Sequence, residues 1–484
     1  MAILSRPQAR SIRAAGRFVS SFRVGLLGIL TKHNEDEIAE ERMSTTTLPD
    51  DPQLRERFTE LKAPLTPQAA TIEANRCLYC FDAPCTVACP THIDVPGFIK
   101  RIASGNLRGS ASRILDANIL GGSCSRACPV DILCEGACVM HKQGRHPIRI
   151  GQLQRHAIDA FHDAGGDVQT APRGSRYVRV ACIGAGPASL ACAAELCRQG
   201  ARATIVERRA LPGGLNTYGI AEYKLRASES LREIEMIRRM GVEFRFGAGI
   251  ETAEDLKELE AEFDFIFLGL GLGAMQQLNI PGEESEGVMN ALELIAGYKT
   301  GRIRELAGTV VVVGAGNTAI DAANAARRLG AETVYLLYRR GERDIPAFES
   351  EYEHSKVEGV QFLWRRQPMA IRADAHGVLL LDTVQVREVD RTLVPIPDSK
   401  LTIACHLVVP AIGQSPITNL MRDFCRIDVR EGKIVIDNET GQTRNPRYFA
   451  GGDCTNGGRE VVDAVADGKR SALAMLKIAE AMYA

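Results

Sequence analysis

Val180-Ala-Cys-Ile-Gly184-Ala-Gly186-Pro-Ala-Ser189 reads as a strand, a glycine turn and the start of a helix. The unit returns as Val310-Val-Val-Val-Gly314-Ala-Gly316-Asn-Thr-Ala319. Two glycines at this spacing permit a tight turn and let the backbone close on a pyrophosphate, whose charge the helix N-terminus favours. Ser189 replaces the usual third Gly or Ala with another small residue that can pack against the strand. Two such starts, 130 residues apart, predict an α/β chain with two Rossmann-like dinucleotide-binding domains.

The residues after each loop tell the two apart. Glu207 ends the next predicted strand, 23 residues after Gly184, where a carboxylate accepts from a ribose hydroxyl. After the second loop, the strand over 333–338 ends in Arg339-Arg340. Arginines there pair with a ribose 2′-phosphate, which favours NADPH and leaves NADH open. Different ribose readers imply different cofactors. Leu211-Pro-Gly213-Gly214-Leu215, with Tyr448-Phe-Ala-Gly451-Gly452-Asp453 near the C-terminus, resembles the FAD contacts of two-dinucleotide-domain flavoproteins, where the Asp meets the ribityl or phosphate end. Residues 268–271 and 409–413 are similar to their crossover strands, so the second unit is inserted within the FAD domain. The candidate FAD contacts are therefore Gly184, Gly186, Pro187, Ser189, Glu207, Gly214, Leu215, Gly452 and Asp453. Those for NADPH or NADH are Gly314, Gly316, Asn317, Thr318, Arg339 and Arg340.

With 484 residues, the chain has room for about three domains. Basic and acidic residues number 59 and 60, so no field steers a nucleic acid or an anionic membrane. The apolar run over 24–30 is far shorter than the roughly 18 residues of a membrane span. A composition of 45% hydrophobic and 25% charged residues excludes a disordered chain. Eight of the 14 cysteines lie between Cys77 and Cys138, which fits a cytoplasmic metal or iron–sulfur region better than a secreted disulfide scaffold. They read Cys77-x2-Cys80-x4-Cys85-x3-Cys89-Pro90 and Cys124-x3-Cys128-Pro129-x4-Cys134-x3-Cys138. Eight thiolates suffice for two 4Fe–4S clusters, and a Cys before Pro, such as Cys89, is the kind that crosses to the other cluster. Zinc is the rival, although it usually takes two Cys-x2-Cys pairs and one is present. The other six cysteines read as small buried hydrophobes.

Residues 1–34 hold six basic residues and no acidic one, either a transit-like segment or an upstream extension before Met43. The expected domains are an extension and linker over 1–54, an α-helical cluster domain over 55–170, FAD-binding parts over 176–300 and 408–484, and an NAD(P)-binding domain over 301–407.

A two-cluster helical domain followed by an FAD/NAD(P) reductase module resembles the glutamate synthase small subunit over roughly residues 55 to 480. It resembles still more the N-terminal half of dihydropyrimidine dehydrogenase and its bacterial stand-alone electron-input subunit. Five residues separate Cys128 from Cys134, where the glutamate synthase pattern has three. Ile150-Gly-Gln-Leu-Gln154-Arg155 matches the segment in which dihydropyrimidine dehydrogenases use a Gln as cluster ligand and glutamate synthase-like proteins carry Glu. The resemblance implies one cluster on Cys77, Cys80, Cys85 and Cys138 and another on Cys89, Cys128, Cys134 and Gln154, with Cys124 a non-ligand. It places Lys224 where the family has an Arg near the flavin. It also implies a cytoplasmic heterotetramer with an FMN-containing subunit that reduces uracil or thymine, and no catalytic acid or base on this chain. Departures are Pro346 in place of a further Arg, and Glu460 and Val461 in place of a Thr pair. The alternatives are a glutamate synthase small subunit and a zinc-holding scaffold.

Overall fold

A computed structural model of the chain describes residues 52–173, 176–416 and 425–483. The basic segment 1–34 and the acidic and polar linker before residue 52 lie outside them.

The N-terminal part is helical. Pro67–Ala74, Val95–Ala103, Leu107–Ala117, Gly121–Ala127 and Ile150–Asp163 pack around Phe98, Ile99, Ile114, Leu153 and Ile158. Side chains stop the first three fraying. Thr66 accepts from the amide of Ala69, Asp94 from Gly97 and Asn106 from Gly109, each taking up a donor that the helix start leaves unpaired. Helices Val95–Ala103 and Leu107–Ala117 are separated by a break at Gly105, whose φ of +77° suits glycine.

Strands follow as β1 (Arg179–Ile183), β2 (Arg202–Glu207), β3 (Glu243–Phe246), β4 (Phe265–Leu268), β5 (Thr309–Val313), β6 (Thr333–Tyr338), β7 (Gln361–Trp364), β8 (Arg366–Ala373), β9 (Leu379–Val389), β10 (Thr392–Pro395), β11 (Leu401–Cys405), β12 (Leu407–Pro410), β13 (Val429–Arg430), β14 (Lys433–Ile434) and β15 (Tyr448–Ala450). Two parallel sheets have the orders β15-β4-β1-β2-β3 and β12-β5-β6-β7. Strands β1, β4, β5 and β12 are buried almost throughout, as parallel strands covered by helices are. The fold is therefore α/β with two Rossmann-like sheets after a helical domain. One apolar core runs from the N-terminal helices through β1 and the helix Pro187–Arg198 to the C-terminal helix Val461–Tyr483.

The connections between sheets depart from the expected boundaries at 300/301 and 407/408. Helix Ala291–Lys299 already lies in the core of the second sheet, with Leu294, Ile295 and Tyr298 packed near Val310 and Val312. Leu407–Pro410 is β12 of that same sheet, paired with β5. The chain crosses instead where Gly273, Ala274 and Gln276 exchange backbone hydrogen bonds with Gly413 and Ser415. A sequence motif marks where a strand ends, and the change of sheet comes several residues later. The antiparallel sheet of β8 to β11 has no counterpart among the expected elements. No described helix is long and apolar enough to cross a membrane.

Candidate functional site

Cys77, Cys80 and Cys85 sit on the loop between helix Pro67–Ala74 and the short helix Pro84–Val87, extending to its start. With Cys138 they line one pocket, partly open to solvent and otherwise walled by apolar residues such as Val95, Ile99 and Met140. Tyr79 and Ala83 take left-handed backbone angles in that loop, φ 52° and 32°, a strain often found at ligand clamps. Burial pushes the Cys85 thiol up to about 11, with the charges of Cys77 and Cys138 adding to it. Burial likewise raises Cys77, beside Cys80 and Cys138. Four thiolates stand together in so apolar a space only against cations, which the irons of a cluster supply.

The second set gathers beside it. Cys128, half-buried, shares a side-chain hydrogen bond with Cys124 and feels the charges of Cys134 and Cys89; these and desolvation raise it. Cys134 is raised by burial and by Glu135, Cys89 and Cys85, which places the two sets next to one another. Gln154 is buried in helix Ile150–Asp163, and its Nε2 donates to the Gly121 carbonyl at 2.7 Å. That carbonyl begins the helix Gly121–Ala127, which carries Cys124 and is capped by Cys128. Cys182, Cys192, Cys197, Cys405, Cys425 and Cys454 are buried elsewhere, as small hydrophobes would be.

Both glycine loops are built alike. Gly184 has φ +88°, and a Cβ there would lie 2.6 Å from the Gly269 carbonyl. Gly314 has φ +135°, and a Cβ there would lie 2.2 Å from the Ala411 carbonyl. Only glycine lets the strand end turn so close to its neighbour. Gly186 and Gly316 begin the helices Pro187–Arg198 and Asn317–Arg328 without a side-chain cap, and open space surrounds the place of a Cβ at each. Their leading amides are thus available to an anion, which fits a pyrophosphate.

Three further segments converge on the first loop. A Cβ on Gly214 would be 2.9 Å from the Gly186 Cα, and the Gly213 amide donates to the Ala185 carbonyl at 2.8 Å. Glu207 is buried at the end of β2; its Oε2 accepts from the Ala185 amide at 2.7 Å and its Oε1 from Arg209 at 2.8 Å. Gly452 meets Ala188, where a Cβ would lie 3.1 Å away, so Asp453 arrives at the same helix start. Burial raises the Asp453 carboxyl, and the nearby Asp467 and Asp463 add to it. Ser189 is fully buried, with Oγ 3.5 Å from the Ile183 carbonyl. Pro187 opens the helix, and Leu215 begins a short one, Leu215–Tyr218, partly exposed.

At the second loop, Asn317 Oδ1 accepts from the Phe348 amide at 3.0 Å, so that side chain ties down the segment before helix Glu349–Val357. Thr318 follows in the first helical turn. Arg339 and Arg340 are exposed past the end of β6 and enter no ion pair among the described residues.

Lys224 is committed to protein carboxylates. Its Nζ lies 2.7 Å from Asp321 Oδ1 and 2.7 Å from Glu351 Oε2. Burial lowers the Lys224 pKa, but these two carboxylates outweigh it and hold the ammonium above its ordinary range. Tyr223 donates to the same Asp321 oxygen at 2.7 Å, so this stretch bridges to the helix of the second loop. Glu460 is pushed up to about 7 by burial and by the carboxylates of Asp463 and Glu351, against the pull of Lys224. No spacing in the sequence points to this network, because its members meet only through the packing of the two sheets.

Residues 54–165 match the family described as dihydropyrimidine dehydrogenase domain II, 4Fe-4S cluster. Residues 178–468 match the family described as pyridine nucleotide-disulphide oxidoreductase. The glutamate synthase (NADPH) small chain of Halomonas elongata is 33% identical over 435 residues, covering 86% of this chain and 92% of that one. The NAD-dependent dihydropyrimidine dehydrogenase subunit PreT of Escherichia coli O157:H7 is 32% identical over 422 residues, covering 86% and 96%. Among solved structures, Lactococcus lactis thioredoxin reductase superposes with a TM-score of 0.50 at 23% identity, over 63% of this chain and 99% of that one, a likeness of fold.

Proposed function

This chain belongs to the pyridine nucleotide-disulphide oxidoreductase family and carries a 4Fe–4S domain of the dihydropyrimidine dehydrogenase kind, and on that premise we propose that it is an electron-input subunit. It is an NAD(P)H-dependent flavin and iron–sulfur oxidoreductase that passes electrons to a separate FMN-containing subunit, which reduces uracil or thymine to the 5,6-dihydro product. When bound, FAD supplies the exchange between hydride and single electrons, and the clusters supply single-electron conduction. The protein's work is binding and orientation. The bare amides at the start of helix Pro187–Arg198 hold the FAD pyrophosphate, and Glu207 accepts from its ribose. The amides after Gly316 hold the nicotinamide dinucleotide, and Arg339 and Arg340 receive a 2′-phosphate.

The observation that carries the pyrimidine branch is Gln154. It is a buried neutral amide with Nε2 fixed on the Gly121 carbonyl, which leaves Oε1 without a hydrogen bond among the described residues. That oxygen keeps its lone pairs for another partner, and an iron of the second cluster is one.

Anaerobic purification of the tagged chain with whatever accompanies it tests the reading. The expected product holds about eight irons, as two 4Fe–4S clusters require, together with FAD and an FMN protein. The chain alone is expected to reduce artificial dyes with NAD(P)H and to leave uracil untouched, with turnover appearing once the partner is added. Uracil turnover by the chain alone sinks the division of labour. A large amidotransferase partner moves the function to glutamate synthase, and zinc without flavin overturns the enzyme reading.

Cofactor choice has its own test. Arg339→Glu and Arg340→Glu should each raise KM for NADPH by about tenfold or more and leave KM for NADH nearly unchanged, since a hydrogen bond to a charged group contributes about 1.5–3 kcal/mol. Equal effects on both coenzymes would remove the two arginines from the phosphate site.

A further inference from the structure

Helix Ala227–Arg239 belongs to the flavin side of the molecule, between β2 and β3. Its Glu233 is buried, and the carboxylate reaches across to the N-terminal helical domain. There Oε1 accepts from the Gly122 amide at 2.6 Å, and Oε2 accepts from the Ser123 amide at 2.9 Å and from the Ser123 hydroxyl. The approach is close enough to demand glycine, since a Cβ on Gly122 would lie 2.8 Å from Oε1. Burial pushes the carboxyl up to about 7, while these donors and the Arg126 charge pull against it.

One helical turn earlier, Glu229 takes the same face. Arg126, on the helix Gly121–Ala127, lies 3.3 Å from Glu229 Oε2 and 2.7 Å from Asp159 Oδ1. That short helix is therefore fastened from the flavin side near both ends. Gln154 holds its first carbonyl from the other side, and Cys128 caps it. The contacts chain a flavin-side helix to the segment from which two expected ligands of one cluster, Cys128 and Gln154, take their places.

We infer that Glu233 is a positioning residue for electron transfer: through the Gly122 and Ser123 amides it fixes the cluster-bearing helix at a set distance from the flavin. The inference rests on the electron-input reading above. Transfer between centres falls steeply with their separation, so a loosened helix slows it without touching either centre.

The test uses the full chain, purified anaerobically as wild type, Glu233→Gln, Glu233→Ala and Ser123→Ala. Iron, FAD and thermal midpoint are measured first; the isosteric Gln variant is expected to keep all three. Dithionite-reduced samples then give the EPR spectrum and midpoint potential of each cluster. One cluster is expected to shift in g-values and potential, and the other to match wild type. Mixed with NAD(P)H, Glu233→Gln should bleach flavin at the wild-type rate while reduced-cluster signal grows about tenfold more slowly or worse, the usual size of an outer-partner effect at a metal centre. Ser123→Ala, which removes one of three donors, should show a smaller change in the same direction. Wild-type spectra, potentials and cluster-reduction rates in Glu233→Gln overturn the inference. If Glu233→Ala loses iron, Glu233→Gln and Ser123→Ala still decide. Wild-type clusters that dithionite reduces and NAD(P)H does not would overturn the electron-input reading instead, and the dithionite spectra would still decide on Glu233.

Discussion

Cys85→Ala will lower the iron of the purified chain from about eight atoms to about four and leave its FAD in place, because one cubane of two loses a ligand. Cys85 shares its cavity with Cys77, Cys80 and Cys138, and it feels the charges of Cys77 and Cys138 directly. Three thiolates left in that apolar space cannot close a cubane, and water is a poor substitute. The flavin loops are built on other elements, Gly184 at the end of β1 and Gly214 beyond β2, so flavin content should not follow iron. Cys124→Ala is the matched control. Cys124 is buried and hydrogen-bonded to Cys128, yet the resemblance makes it a non-ligand, so about eight irons should remain. Iron content and the EPR spectrum after reduction read both variants. Should Cys124→Ala lose a cluster and Gln154→Ala keep it, the second ligand set is Cys89, Cys124, Cys128 and Cys134.

The parts of this site that were legible in the sequence are those that local stereochemistry dictates. A glycine is forced at 184 and 314 because φ is positive and a neighbouring carbonyl stands 2.6 and 2.2 Å from a Cβ, and that demand shows as a bare G-x-G. The helices behind those loops, with their small faces, follow within a residue or two of where the pattern put them. Cysteine spacing likewise announces the first three members of the cavity, since they share one loop. Its fourth member, Cys138, comes from a distant part of the helical domain, and only the family likeness pointed to it.

The features that stayed hidden depend on partners far away in the chain. Glu233 sits in a run of Glu and Arg that reads as a solvated helix face, and its burial is decided by amides about 110 residues earlier. The ion pairs of Lys224 with Asp321 and Glu351 are of this kind. So is the hydrogen bond by which the Asn317 oxygen accepts from the Phe348 amide. The antiparallel sheet β8 to β11 escaped because much of it faces solvent and carries polar or charged side chains, so its apolar runs, such as 378–381, are short. The crossing points between sheets escaped for a related reason. Backbone hydrogen bonds between residues 273–276 and 413–415 define them, and backbone pairing has no side-chain signature.

Lys299→Met will cost about 3–5 kcal/mol of stability, the range for leaving one member of a buried ion pair alone, and will weaken flavin retention. Lys299 ends the helix Ala291–Lys299, which packs on the second sheet, and its side chain has no exposed surface. The ammonium donates to the carbonyls of Ile220 and Leu225, both at 2.7 Å, and to that of Asn216 at 3.4 Å. Glu222 stands 3.3 Å away as its counter-charge. Burial lowers the pKa of Lys299, and Glu222 opposes that by charge and hydrogen bond. Methionine fills the volume but gives three carbonyls no donor and leaves the Glu222 carboxylate with its Ala227 amide but without a counter-charge, each at a desolvation cost. The segment it holds runs back to Gly214, whose backbone meets Gly186 at the FAD loop, and forward to Tyr223 and Lys224. Loosening it therefore reaches both dinucleotide sites. Thermal unfolding and flavin lost on desalting measure the two effects. The double variant Lys299→Met with Glu222→Gln should recover part of the stability, because the stranded carboxylate is gone, while the carbonyls of Ile220 and Leu225 remain unmet. A thermal midpoint and flavin content equal to wild type in the single variant would mean that water reaches these groups and that the ammonium is not what holds the loop.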